Sequence, residues 1–274
     1  MLQAAAHAYE IDPCIAELYD QVETHTRDVE LLRRLIGAGP PRRILEPFCG
    51  TGRILLPLAA DGHTIDGFDR APPMLERAQA KLAELSPEIQ QRVNVSQSDV
   101  LAGPWPDGYD LVILGGNCLY ELATPEHQQA CIAQAAQALR PGGHLFVDND
   151  HMEGDLDPAW RDGGVQTAFP TGRCADGTRI EATRETVWYD AARRLALFSR
   201  ELRITRPNGS MQQQTFLEQK HPVSHDEVAG WLGEHGFEIL ATYGDHDGRP
   251  YSPEAPRAIF WAQFAPPNTR RNDP

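Results

Sequence analysis

Basic residues are in short supply in this sequence. Lys and Arg total 25 against 39 Asp and Glu, a formal net charge of −14. Phosphate-backbone binding needs clustered Lys and Arg, so this balance speaks against a nucleic-acid partner, though not against a local basic groove. Cysteine is scarce and scattered. The five residues, Cys14, Cys49, Cys118, Cys131 and Cys174, form no CxxC pair and their number is odd. Neither a disulfide framework nor a zinc knuckle is expected, and a reducing cytoplasm is the expected setting. No window approaches the roughly 20 apolar residues that a membrane span needs. The opening MLQAAAHAYEID has no basic stretch ahead of an apolar run, so no signal peptide is expected. Internal repeats and low-complexity segments are absent as well. What remains is a 274-residue chain, 41% hydrophobic and 23% charged. That suits one α/β domain with insertions, or two small domains, with ample material for a core.

Hydrophobic periodicity predicts a helix over 13–36, carried by Ile15, Leu18, Tyr19, Val22, Val29, Leu32 and Ile36. Strand-like and helix-like segments then alternate. Strands are predicted at 42–47, 63–69, 93–99, 109–116 and 144–150, and helices at 52–60, 72–85 and 125–139. Thr124 and Pro125 mark the start of the third helix, and Pro141-Gly142-Gly143 its end. Such alternation implies a doubly wound parallel sheet. Residues 151–178 read as loop. Three β-rich runs follow, at 179–190, 195–205 and 211–221, separated by turn-like Asp190–Arg193 and Pro207–Ser210. A helix is predicted over 224–235, with Ser224 and Glu227 at capping-box spacing. Two last strands are expected at 237–244 and 258–265.

The strongest local signal is Ile44-Leu-Glu-Pro-Phe-Cys-Gly-Thr-Gly52, an apolar strand running into a glycine turn that opens a helix. Gly50 and Gly52 would let the backbone approach a ligand and present N–H groups to it. Asp69 ends the second strand, 23 residues after Glu46, where an acid can accept both hydroxyls of a ribose. Asp99, after Ser98, ends the third in a position to meet an adenine edge. Three strands thus end in acids at the edge where open α/β sheets bind ligands.

The segments EPFCGTGR, GFDRAPPML, SQSDV, YDLVILGGN and LRPGGHLFVD resemble, in order, the motifs of class I S-adenosylmethionine-dependent methyltransferases over about residues 40–150. The resemblance implies an α/β fold: a doubly wound, Rossmann-like, seven-stranded, mostly parallel sheet, here with an antiparallel β insertion before the last helix. It implies S-adenosyl-L-methionine as cofactor and S-adenosyl-L-homocysteine as product. By position, Glu46, Phe48, Cys49, Gly50, Gly52 and Arg53 would flank the methionine part. Asp69 would hold the ribose, with Arg70 and Met74 beside it. Ser98, Asp99 and Val100 would meet the adenine. Gly115, Gly116 and Asn117 would lie near the transferable methyl, and Tyr19 would close over the cofactor. The family's first motif glycine is Phe48 here. The Pro47-Phe48-Cys49-Gly50 turn is similar to that of nucleic-acid amino-methyltransferases, but their Asn/Asp-Pro-Pro-aromatic tetrapeptide is missing after the fourth strand, where Gly115-Gly-Asn-Cys-Leu-Tyr120 stands.

More loosely, Trp188-Tyr189-Asp190, His221 to Glu227, and Gly236 to Asp245 resemble glycine and sarcosine N-methyltransferase-like enzymes. Their antiparallel insertion roofs the substrate pocket. The expected organisation is a helical cap (1–39), a cofactor-binding core (40–150), a β-rich substrate lid (151–222), completion of the core sheet (223–266) and a disordered tail (267–274). The expected activity is methyl transfer to a small-molecule acceptor, an amine nitrogen in the first instance. Nucleic-acid or protein methylation, and cofactor binding without catalysis, stay open as alternatives. No nucleic acid and no membrane are expected as partners, and a homo-oligomer is allowed.

Around the methyl, Asn117, Tyr120, Glu121, Asp148, Asp150 and His151 are the candidates to orient the acceptor or take its proton. Tyr120 either offers a cation–π face or packs, and Glu121 either attracts a cation or caps. Asp148 to Asp157 is rich in oxygen ligands but lacks EF-hand spacing, so it reads as a solvated loop and no metal is expected. Trp188, Tyr189 and Phe198 read as core. Arg200 and Arg203 read as a solvent face or as carboxylate binders. Cys49 and Cys118 read as small buried residues.

Overall fold

The computed structural model describes residues 8–150, 160–161 and 163–265. His151, most of the acidic 148–157 stretch and the expected tail lie outside them. Seven strands build the main sheet: β1 (Arg43–Pro47), β2 (Thr64–Asp69), β3 (Val93–Gln97), β4 (Tyr109–Leu114), β5 (Leu139–Asp150), β11 (Phe237–Tyr243) and β12 (Arg257–Phe264). Their spatial order is β11-β12-β5-β4-β1-β2-β3. Strands β1 to β5 pair in parallel, while β12 runs antiparallel to both β5 and β11. The chain order reverses between β1 and β4, and this is where such a sheet leaves a crevice at its carboxyl edge.

Burial explains why these segments are strands. Every residue of β4 is buried, as a strand covered on both faces requires. Leu45, Val112, Leu114, Leu145, Val147 and Phe260 join the core on one face of the sheet. Ile44, Ile65, Leu111, Ile113, Phe146 and Ile259 join the core on the other. The period-two alternation divides neighbours in sequence between two cores. Helix α7 (Pro125–Ala138) starts at Thr124, whose hydroxyl accepts from His127 N–H at 3.3 Å. It stops at Ala138, because Leu139 already pairs with Tyr109 and Pro141-Gly142-Gly143 falls inside β5. Helix α4 is also short (Leu55–Ala60), since residues 48–54 are spent on the glycine turn.

The predicted single helix over 13–36 is two helices, α2 (Pro13–Val22) and α3 (Arg27–Ile36). Glu23, Thr24, His25 and Thr26 separate them. Threonine is a weak helix former, and the break is fixed by a tertiary contact, since the His25 carbonyl accepts from Arg53 at 3.1 Å. A four-residue helix, α1 (Ala8–Ile11), precedes α2. The main domain also contains α5 (Pro72–Ala83), the short α6 (Pro87–Gln90) and a single 3-10 turn at Cys118–Glu121.

The insertion is a second, five-stranded antiparallel sheet of β6 (Gln166–Thr167), β7 (Gly172–Arg173), β8 (Arg179–Asp190), β9 (Leu195–Thr205) and β10 (Met211–Lys220). Two short strands therefore sit where only loop was expected, both paired to β8. Ile180, Ala182, Leu202 and Ile204 pack with Ile15 and Leu18 of α2. Phe198 is buried, but Trp188 is 40% exposed and not core, because a register shift follows Thr186. Helix α8 (His225–Glu234) then begins with the expected capping box.

The cysteine expectation is overturned. Cys14 in α2 and Cys174 after β7 form a disulfide across 160 residues of sequence, while Cys49, Cys118 and Cys131 are buried thiols. A bridge spanning that distance has no spacing signature, so counting cysteines could not reveal it. It also removes the cysteine argument for a reducing compartment. No helix among the described residues is long and apolar enough to cross a membrane.

Candidate functional site

The β1–α4 turn is the most contorted stretch of the fold. Phe48, Gly50 and Gly52 all adopt left-handed backbone, with φ of 59°, 52° and 80°. Phe48 is the position where related motifs carry glycine, and the positive φ is the physical reason for glycine there. A Cβ on Gly52 would sit 3.1 Å from Leu56, and one on Gly50 would sit 3.3 Å from the Met74 side chain. Gly52→Ala should therefore cost about 1–2 kcal/mol from backbone strain alone. A melting temperature lowered by several degrees would register it.

Asp69 secures this turn. Its two carboxylate oxygens accept from Gly50 N–H at 3.0 Å and Ala71 N–H at 2.9 Å. The Cys49 N–H donates to the Phe68 carbonyl at 3.1 Å, which seats the turn against β2. Glu46 is the penultimate residue of β1, 4% exposed, and its Oε2 is buried with no hydrogen-bond partner. Burial pushes its pKa far above the ordinary carboxylate range, despite the nearby Arg53 charge.

Arg53 is held from three sides. It makes a bidentate pair with the fully buried Asp28 at 2.6 and 2.9 Å, donates to the His25 carbonyl, and hydrogen-bonds Tyr19. Burial pushes the Tyr19 hydroxyl up to about 12. The β4 edge lies close to Arg53, since a Cβ on Gly116 would be 3.6 Å from its guanidinium. Gly115 is packed against Ile54, so a side chain there would clash at 2.7 Å. Glycine turn, Arg53 and the β4 edge thus line one crevice at the switch point.

The adenine-side residues are arranged more openly. Ser98 N–H donates to the Asp69 carbonyl at 3.0 Å. Asp99 accepts from Leu101 N–H at 2.9 Å and is 3.7 Å from Arg70. Arg70 also reaches the cap, pairing with Glu10 at 2.7 Å. Val100 is buried, and its carbonyl accepts from the Trp105 indole at 3.0 Å. Met74 is buried against Tyr9 and Tyr19.

The candidates around the methyl are mostly committed to one another. Asn117 has left-handed backbone (φ 61°) and exchanges two hydrogen bonds with Asp150, at 2.7 and 2.9 Å. Arg257 joins them, 2.9 Å from Asn117 Oδ1 and 2.5 Å from Asp150. Asp148 is engaged by other side chains: it is 1% exposed, with Arg257 at 2.7 Å and His246 at 2.9 Å. Burial alone would raise its pKa, but His246 and Arg257 hold it below the usual range. Asn149 is buried with its side-chain amide unpartnered. The Tyr120 ring packs on the core and its hydroxyl donates to the Asp150 carbonyl at 3.4 Å.

Glu121 differs, because it lines a cavity of about 340 Å³ between the cap and the insertion sheet. Tyr9, Phe169, Arg184, Arg200, Glu218 and Lys220 complete most of its wall. Lys220 is half-buried between Glu218 at 3.2 Å and Glu121 at 3.4 Å, and donates to the Tyr120 carbonyl at 2.8 Å. Burial disfavours its charge, yet the two carboxylates raise its pKa. Arg200 pairs with Glu218 at 2.8 Å rather than facing solvent, whereas Arg203 sits beside Glu201 on the exposed face. Tyr9 links the two regions: its ring meets Tyr19 edge-on at 6.1 Å and Phe169 at 5.9 Å. Among the described residues, no cluster of three His, Cys, Asp or Glu could hold a metal.

A sequence profile described as a methyltransferase domain matches residues 44–143. Over those residues the chain carries a methyltransferase domain. An uncharacterized protein of Mycobacterium tuberculosis is 32% identical over 119 residues, which is 43% of this chain and 40% of that protein. The chain thus matches less than half the length of that curated relative. The CcbJ methyltransferase from Streptomyces caelestis superposes with a TM-score of 0.68 at 20% identity, over 94% of this chain and 98% of that one. The sugar N-methyltransferase KedS8 from a Streptoalloteichus species gives 0.69 at 16% identity, over 97% of both chains. These two show a shared fold over 94% and 97% of the chain.

The residues that sequence reasoning missed are Tyr9, Asp28, Glu218, Lys220, His246 and Arg257. Except for His246, which lies in the turn between β11 and β12, each comes from a helix or strand whose local pattern marks only a surface or a core face. Asp28, for one, sits beside Val29 in an ordinary amphipathic helix, and only its zero exposure reveals its role.

Proposed function

We propose that this protein transfers a methyl group from S-adenosylmethionine to a small-molecule acceptor, and that the accepting atom is an amine nitrogen. The observation that carries the reading is the 340 Å³ cavity beyond Tyr9, walled by the insertion sheet and containing Glu121. That volume lies at the small-ligand end of the usual range of about 300–1,000 Å³. The name of KedS8, a sugar N-methyltransferase of similar architecture, supports a small amine-bearing acceptor. The overall excess of acid over base favours it over a polyanion.

The residues present suit the cofactor. Glu46 offers a buried oxygen without a partner, and the glycine turn is a cradle that added Cβ atoms would fill. Glu46 would take the methionine ammonium, and Arg53, oriented by Asp28, its carboxylate. Asp69 would accept from the ribose hydroxyls and Asp99 from the adenine amino group. When bound, S-adenosylmethionine supplies an electrophilic methyl on a sulfonium. The protein's part is to place an uncharged nitrogen in line with it and to exclude water, which Tyr9, Tyr19 and the insertion sheet are placed to do. Glu121, which shares Lys220 with Glu218, is a carboxylate of the cavity wall that would accept the amine proton, while Asp148 and Asp150 lie outside that wall and are engaged by Arg257.

The test is calorimetric titration with S-adenosylhomocysteine, followed by its release from S-adenosylmethionine across a panel of primary and secondary amines. Absent binding would sink the reading. Turnover confined to hydroxyl acceptors would overturn the amine assignment alone.

Glu46 gives a pH prediction. A folded-state pKa raised above the unfolded value gives stability that is present at low pH and lost as pH rises through the folded pKa. Glu46→Gln should therefore stabilise the free protein above that pH. The same variant should weaken S-adenosylhomocysteine binding and flatten its tightening with pH. A lower melting temperature for the variant at pH 9 would contradict this account.

A further inference from the structure

We propose that the Cys14–Cys174 bridge is a redox latch that holds the helical cap closed over both the cofactor crevice and the acceptor cavity. Its effect on the cofactor rests on the reading above. Its effect on the cap does not.

Helix α2 is attached on two sides. Toward the glycine turn, Asp20 accepts from Thr51 at 2.5 Å, Lys81 at 2.7 Å and Arg77 at 2.7 Å. Toward the insertion, the Cys14–Cys174 bond is flanked by Glu17, which accepts from Ala175 N–H at 2.7 Å, and by Gln21, which donates to the Arg173 carbonyl at 3.3 Å. Asp12, the N-cap of α2, pairs with Arg206. The contact is close enough that a Cβ on Gly172 would meet Leu18 at 2.6 Å. Tyr9, which lines the cavity, and Tyr19, which meets it edge-on and hydrogen-bonds Arg53, flank Cys14 in sequence.

Without the bridge, the cap is held to the insertion by the small apolar cluster of α2 and by polar contacts at its edge. Gln21 and Glu17 make hydrogen bonds open to solvent, which are weak and salt-sensitive, whereas Asp12 is only 3% exposed in its pair with Arg206, so that ion pair is the firmer of these polar contacts. Opening is a two-electron step. A dithiol reductant attacks one sulfur of the bridge, the S–S bond breaks, and the reductant is released as its own disulfide. One proton ends on each sulfur, leaving the Cys14 and Cys174 thiols. Cys14 and Cys174 are themselves only 7% and 5% exposed, so the reductant reaches the bridge through local opening around α2, and Cys49, Cys118 and Cys131 are separate buried thiols of the main domain.

The experiment uses the full-length protein prepared without reductant. Iodoacetamide labelling of the native protein and mass spectrometry should find Cys14 and Cys174 blocked, and labelled only after dithiothreitol. Dissociation of S-adenosylhomocysteine should then quicken by about tenfold on reduction, as local opening becomes easier. Cys14→Ser and Cys174→Ser should each show the faster rate without reductant and ignore it when added. Hydrogen exchange over residues 8–22 should rise in parallel, a readout that needs no ligand. If both cysteines label without reductant, or if exchange and dissociation are the same with the bridge intact and reduced, the latch is overturned. If S-adenosylhomocysteine fails to bind in either state while hydrogen exchange still responds, the cofactor reading falls and the latch stands.

Discussion

Asp69→Ala is expected to abolish measurable S-adenosylhomocysteine binding. The aspartate ends β2 with both oxygens anchored on the Gly50 and Ala71 amides, so its position is fixed before any ligand arrives. Two hydrogen bonds from ribose hydroxyls to this charged group would contribute about 1.5–3 kcal/mol each. Together that is at least a hundredfold in affinity. The substitution also strips acceptors from two backbone amides of the site, which loosens the turn that Phe48, Gly50 and Gly52 have been bent to form. Both effects act in the same direction. Asp69→Asn keeps one acceptor oxygen and should retain part of the affinity. Calorimetry on folded variants, checked by circular dichroism, measures both. An Asp69→Ala protein that binds within threefold of the wild type would remove Asp69 from the site.

Arg257→Ala should produce the largest loss of stability of any substitution considered. Asp148 is 1% exposed and depends on Arg257 and His246, and Arg257 also joins Asp150 to Asn117. Removing one partner from a buried pair costs about 3–5 kcal/mol, because the remaining charge has no solvent. For a chain of this size that is roughly a 10 °C fall in melting temperature. The pH dependence supplies the check. Asp148 has a depressed pKa in the fold, so its contribution is present above the unfolded carboxylate value and is lost as pH falls through the folded one. The deficit of the variant should be largest near neutrality and shrink on acidification. Adding Asp148→Asn should recover part of it, giving a double variant less damaged than additivity requires. A neutral-pH loss below about 1 kcal/mol would mean that water reaches Asp148.

Much of the cofactor side was legible in the chain because it is local. Strand, turn and helix follow each other between Ile44 and Ala60, and a left-handed turn needs small residues near its bend. The acid at Asp69 stands at a fixed distance along one βαβ unit. Phe48 shows the limit of such reading: the position does adopt the conformation glycine favours, with a side chain that gives no hint of it. The acceptor side was legible in class only. Glu121 follows from its place after β4. Asp148 and Asp150 share that place, yet β12 brings Arg257 across to them from more than 100 residues away.

The sequence by itself determined the order of strands and helices, the glycine turn, the acids at the carboxyl ends of β1 and β2, and the presence of a β insertion. All of these rest on period-two or period-3.6 patterning and on turn chemistry, which act over a few residues. Tertiary structure alone decided which charges neutralise each other, that the leading helix breaks at Glu23 to bury Asp28 under Arg53, and that Lys220 enters the cavity between two glutamates. It also joined Cys14 to Cys174. Pairing of charges and of sulfurs depends on distance in space, and a chain folded into two sheets brings together residues that no spacing rule connects.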